Sequence, residues 1–198
     1  MGMLSSQKKI RLFLVVCGIY VLPVVTAILF AYFSESYPFD LNLTVSLYVA
    51  QYIGTAVLFF VCVTAVCVAF FLYIKKIHIG MIQRILYFAV IVCIFGCACF
   101  PCNRSRSVLC ADIHDLFSYL LVIFVSLTFL TMSVWGQQKR KKFFAIGSLL
   151  YAVGFIVAFV FKVPAIKQTI FIWENVLILL LFAELFLEDD RKEQETAE

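Results

Sequence analysis

The sequence predicts an all-α membrane protein, a bundle of six transmembrane helices with short loops and both ends on the cytoplasmic side. Three observations predict it. Of the 198 residues, 64% are hydrophobic and 14% charged, against roughly half and a quarter in soluble domains. The apolar residues fall into six long runs, near the length of about 20 residues that a bilayer requires. The basic residues fall between those runs in alternation. A β-barrel would show runs of about ten residues with polar alternation, which is absent here.

The first run, Leu12–Phe33, follows Lys8, Lys9 and Arg11. It is too long for a signal-peptide core, and no small-x-small cleavage site follows it, so it reads as a retained helix that Pro23 kinks. The second run is Leu47–Ile74. The third, Ile85–Phe100, is short and is expected to begin nearer Met81. Leu116–Trp135, Phe143–Phe161 and Thr169–Leu187 complete the set. Residues 1–187 form a single transmembrane domain in this reading. The remainder, 188–198, carries six of the twelve acidic residues and no apolar anchor, and reads as a disordered cytoplasmic tail.

Twelve of the sixteen basic residues lie at the N-terminus, in the loops after the second and fourth runs, and in the tail. Arg104, Arg106, Lys162 and Lys167 lie on the other side. The imbalance places both termini in the cytoplasm. The net charge of +4 then reflects topology and not nucleic-acid binding. Membrane lipids are the expected partners, and the cell membrane is favoured over an organelle.

The stretch from Cys97 to Asp115 gathers four cysteines, two arginines, two aspartates and a histidine at the outer end of the third run. Cys17, Cys62, Cys67 and Cys93 lie inside apolar runs and read as small hydrophobes. Three readings compete for the outer thiols. Cys102 and Cys110 can close a structural disulfide on the oxidising side. The cysteines can remain free. Alternatively, Cys99-Phe-Pro-Cys102 is a C-x-x-C pair suited to thiol–disulfide exchange, with a quinone as cofactor. A zinc site fits less well, because His114 with Cys102 or Cys110 matches no closed tetrahedral spacing.

Asp112 and Asp115 open the fourth helix, where the macrodipole favours acids, and Asp112 is the expected N-cap. His114 and Ser118 are four residues apart and share a helical face. Glu174 and Asn175 stand about one and a half turns into the last run from the same side. A lone ionised glutamate at that depth costs on the order of 2–3 kcal/mol, so a partner is expected. His114 is the first candidate and Arg104 or Arg106 the rivals, within side-chain reach or joined by one water. Gln51 is placed one turn into the second helix, at the same depth. Glu184 is close enough to the cytoplasmic face to snorkel and is discounted. His114, Glu174, Ser118 and Asp115 are thus the catalytic candidates, with Cys99 and Cys102 for the exchange alternative. His114, Glu174, Asn175, Gln51 and Arg104 are the ligand-binding candidates. The cluster reads either as interhelical glue or as a pocket that binds or modifies a lipid. Asn42-Leu-Thr44 and Asn103-Arg-Ser105 match the glycosylation sequon, and chance explains both.

The segment "FGCACFP", a short polar loop and "HDLFSYLLVIF" resembles the central part of the Frag/DRAM/Sfk group of six-span membrane proteins, above all their uncharacterised prokaryotic relatives. Gly96, Phe100, Pro101, His114 and Ser118 carry the likeness, and Trp173-Glu174 is similar to the group's last helix. The resemblance implies a six-span protein without settled chemistry. Eukaryotic members include lysosomal autophagy modulators and a factor for remodelling glycolipid anchors.

Overall fold

The computed structural model describes residues 6–33, 43–77, 79–103, 105–135, 139–161, 163 and 169–188. Over these the chain is helical: α1 Ser6–Phe33, α2 Val45–Gln51, α3 Ile53–Lys76, α4 Met81–Cys99, α5 Val108–Trp135, α6 Lys139–Val160 and α7 Ile170–Glu188. Four helices hold stretches long and apolar enough to cross a membrane: Lys9–Phe33, Ile53–Lys76, Met81–Cys99 and Val108–Val134. They mark the chain as membrane-embedded. Large apolar side chains also face outward all around the bundle, among them Leu14, Phe30, Leu72 and Leu150, as lipid exposure requires.

The long helices pack in chain order, α1 on α3, then α4, α5, α6 and α7, and α7 returns to α1. The short α2 is set against α1, α3 and α7. Val16, Tyr20, Val24, Ala27 and Ala31 form the buried face of α1, recurring every three to four residues as one side of a helix must. Tyr20 and Phe70 each meet Phe182 edge-on, at 5.6 and 4.8 Å, and so join α1, α3 and α7. Such T-shaped pairs align ring edge with ring face, the favourable sense of the quadrupole.

The helix of the third run, α4, begins at Met81, as expected. The second run departs from expectation: it is two helices. Tyr52 adopts extended backbone (φ −115°, ψ 138°) between α2 and α3. No proline marks the break, and the nearest glycine, Gly54, is already inside α3. The carbonyls it orphans are satisfied from elsewhere. Thr55 Oγ1 donates to Val49 O at 2.8 Å and to Tyr52 O at 2.9 Å. Asn103 Nδ2 donates to Ala50 O at 3.2 Å, and Arg106 Nη2 to Gln51 O at 3.1 Å. A helix can be interrupted at membrane depth only where such donors replace the lost ladder.

Asn103 also accepts from Ser105 Oγ at 2.6 Å and Arg106 N at 3.3 Å. Its amide is therefore spent on structure. Replacing it with alanine is expected to cost about 1–2 kcal/mol through the unmet Ala50 carbonyl. Thermal melting of the detergent-solubilised variant checks this, and an unchanged midpoint would refute it. The Asn42 sequon lies outside the described residues.

Candidate functional site

The site begins where α4 ends. Gly96 lies flat against the Phe117 ring: a Cβ there would stand 2.6 Å from Phe117 Cγ and Cδ1. That close approach lets Phe117 stack on Phe100, with centroids 6.1 Å apart and planes 11° from parallel. One turn up α5, His114 reaches the end of α4. Its Nδ1 lies 3.0 Å from Cys97 O and 2.7 Å from Phe100 O. Both partners are carbonyls, so Nδ1 must carry a proton and donate; in the neutral ring Nε2 is then the acceptor edge. A helix ends with carbonyls that lack partners, and His114 supplies the donor.

The start of α5 differs from expectation. The helix opens a little over one turn earlier, at Val108, and Ser107 caps it, its Oγ accepting from Cys110 N at 3.3 Å. Asp112 is therefore not the N-cap.

Three cavities adjoin His114. The largest, of about 730 Å³, is walled by Thr44 and Ser46, by Asp115, Ser118, Tyr119 and Val122 of α5, by Phe155 and Val160 of α6, and by Glu174 of α7, among others. A second, of about 130 Å³, runs inward past Tyr20, Cys97 and Leu177. A third, of about 310 Å³, lies between α3 and the end of α4 and includes Cys99 and Arg106. His114 and Ser46 line all three. The ring of His114 is only 4% exposed. Phe155 is held in the cavity wall by Trp173, which stacks between it and Tyr151 at 6.3 and 4.6 Å.

The structure brings His114, Ser118, Asp115 and Glu174 to one cavity, but among the described residues it does not bond Glu174 to His114 or to Arg106. Glu174 Oε2 instead accepts from Val45 N, the first amide of α2, at 3.2 Å. Each group takes main-chain partners instead. Ser118 Oγ is in hydrogen-bond contact with Cys97 Sγ at 3.5 Å. Asn175 turns away from the cavity, donating to Phe171 O at 2.7 Å and accepting from Tyr20 O–H at 3.1 Å. Gln51 is the last residue of α2 and lines none of the three cavities. Its Oε1 is buried without a hydrogen-bond partner. Arg104 lies outside the described residues.

All eight cysteines are thiols, so the Cys102–Cys110 disulfide is not formed. Cys102 Sγ instead donates to Asp115 Oδ1 at 4.0 Å. Alkylation followed by peptide mapping of the native protein is expected to modify Cys102 and Cys110. Protection of both until reduction would restore the disulfide.

Sequence reasoning missed Ser46, because the second run was taken to begin at Leu47. It missed Tyr119 and Phe155 because they sit inside apolar runs. It also misread Glu184, which is 0% exposed and does not snorkel; Lys9, in the first turn of the adjoining α1, is 5% exposed. The usable signal was the acid itself, since a carboxylate inside a membrane helix is costly.

No family model, curated protein or solved structure matches the chain.

Proposed function

We propose that the chain is a six-span protein of the cell membrane, with both ends cytoplasmic, that binds or modifies a lipid or other amphiphile in an outer-leaflet pocket. On this reading α6 and α7 span as well. The 19 residues of α7 reach about 28 Å at 1.5 Å per residue, close to the hydrocarbon thickness. The likeness to the Frag/DRAM/Sfk group points the same way.

One observation carries the pocket. The cavity of about 730 Å³ is polar at one end, where His114, Asp115, Ser118 and Glu174 meet, and apolar at the other, where Val122, Ile123, Phe155 and Ile156 line it. Its wall includes residues on the outer surface of the bundle: Tyr119 is 56% and Ile123 49% exposed. A cavity open sideways at membrane depth admits a ligand from the lipid phase, head at the polar end and chain along the apolar wall.

Lipid analysis of the purified protein tests this. The wild type is expected to retain a lipid through purification, and Val122→Trp, which fills the cavity, to lose it. Equal retention by both would sink the pocket. A Cys99–Cys102 disulfide that a dithiol reduces would favour exchange chemistry instead. The topology has its own test: single cysteines placed at either terminus should resist an impermeant maleimide until the membrane is opened. Labelling from outside would overturn the arrangement.

A further inference from the structure

Resting on that pocket, we propose that its ligand carries a head that donates hydrogen bonds, a hydroxyl or an ammonium, and not an anionic head. The inference comes from an inventory of the polar atoms that face the cavity. His114 has both of its hydrogen bonds at Nδ1. In the neutral ring the remaining nitrogen then offers a lone pair, on a side chain that is nine-tenths buried and borders all three cavities. Glu174 uses Oε2 on Val45 N, and its side chain lines the same cavity. Asp115 adds another carboxylate. The hydroxyls of Thr44, Ser46 and Ser118 can both give and accept, but Thr44 and Ser46 are joined to each other at 3.0 Å, and Ser118 to Cys97.

The lining is thus rich in acceptors. Among the described residues, both charged side chains that line the largest cavity are acidic. Arg106 borders the adjoining cavity and directs Nη2 to Gln51 O. A phosphate or carboxylate would face lone pairs with lone pairs, and like charge with like, which costs binding. A hydroxyl or ammonium would meet His114 and Glu174 directly, and an ammonium would also lie beside the Tyr119 ring, an aromatic face that attracts cations.

The test holds the chain constant and changes the head. Full-length protein in detergent micelles is titrated with monooleoylglycerol, oleylamine or oleate, and bound adducts are counted by native mass spectrometry. One or both donor heads should bind about tenfold more tightly than oleate, the effect of one unmet charged acceptor. Which of the two binds identifies the head. Glu174→Gln keeps the shape of the site and removes its charge. It should weaken oleylamine about tenfold while leaving monooleoylglycerol within about threefold. Oleate binding as tightly as the better donor head would overturn the inference, as would an unchanged oleylamine affinity in Glu174→Gln where the amine is the head that binds. Val122→Trp separates the two layers of the argument. If it abolishes all binding, the pocket stands whatever the head preference. If every probe binds it as well as wild type, the pocket reading itself fails.

Discussion

Gly96→Ala is expected to destabilise the protein by about 1–3 kcal/mol, the range for forcing a methyl group into a packed interior. The added carbon would stand 2.6 Å from two atoms of the Phe117 ring, one of them Cγ, the root of the ring. A distal atom could swing aside alone, but Cγ moves only with a turn about χ1 that carries the whole ring or with a shift of α5. The ring is further confined by Phe100, stacked 6.1 Å away. Gly54 and Gly147 provide the control, since nothing lies within 4 Å of a Cβ at either. Alanine at those positions should be neutral or slightly stabilising, by helix propensity of up to about 1 kcal/mol. Melting of the three variants side by side in detergent decides the matter. If Gly96→Ala melts with the other two, the close approach is not a constraint. Phe117→Leu added to Gly96→Ala should recover part of the loss, because the two sites touch and their effects couple.

The second large effect is expected at His114, and it divides between the two ring nitrogens. His114→Leu removes the donor from Cys97 O and Phe100 O. Each buried carbonyl left unmet costs about 1–3 kcal/mol, so the loss should reach about 2–5 kcal/mol. His114→Asn offers an amide N–H close to the place of Nδ1 but nothing at Nε2. It should therefore recover most of the stability and still fail to retain the lipid. Melting reads the first property and lipid analysis the second. A leucine variant as stable as wild type would sink the capping role. An asparagine variant that keeps its lipid would remove Nε2 from the pocket chemistry.

The six apolar runs were legible because each is a local property of about twenty neighbouring residues. The break at Tyr52 was not, for the residues that make it tolerable are distant in sequence. Asn103 and Arg106 lie 53 and 55 positions beyond the carbonyls they serve, and neither advertises that role. His114, Ser118, Asp115 and Glu174 were legible as a cluster through the expense of polar groups at membrane depth. Their pairing was not, since the partners are main-chain atoms that every residue possesses. Ser107 rather than Asp112 capping α5 is the same lesson at shorter range: an earlier hydroxyl reaches the free amide first. Glu184 was misplaced by counting depth along one helix without asking what α1 sets beside it.

The break between α2 and α3 also has a consequence in time. The chain leaves the ribosome from its N-terminus, so α2 is made while its last carbonyls still lack the Asn103 and Arg106 donors. At about 5–20 residues per second, the fifty-odd residues that follow take roughly 3–10 s to appear. During that interval Ala50 O and Gln51 O must stay hydrated or borrow hydrogen bonds from the insertion machinery. Glu174, which takes the first amide of α2, arrives 129 positions after Val45, later still. The short helix that closes one wall of the pocket is consequently among the first segments synthesised and the last to be completed. A chain stalled before Asn103 should already span the bilayer yet hold no pocket.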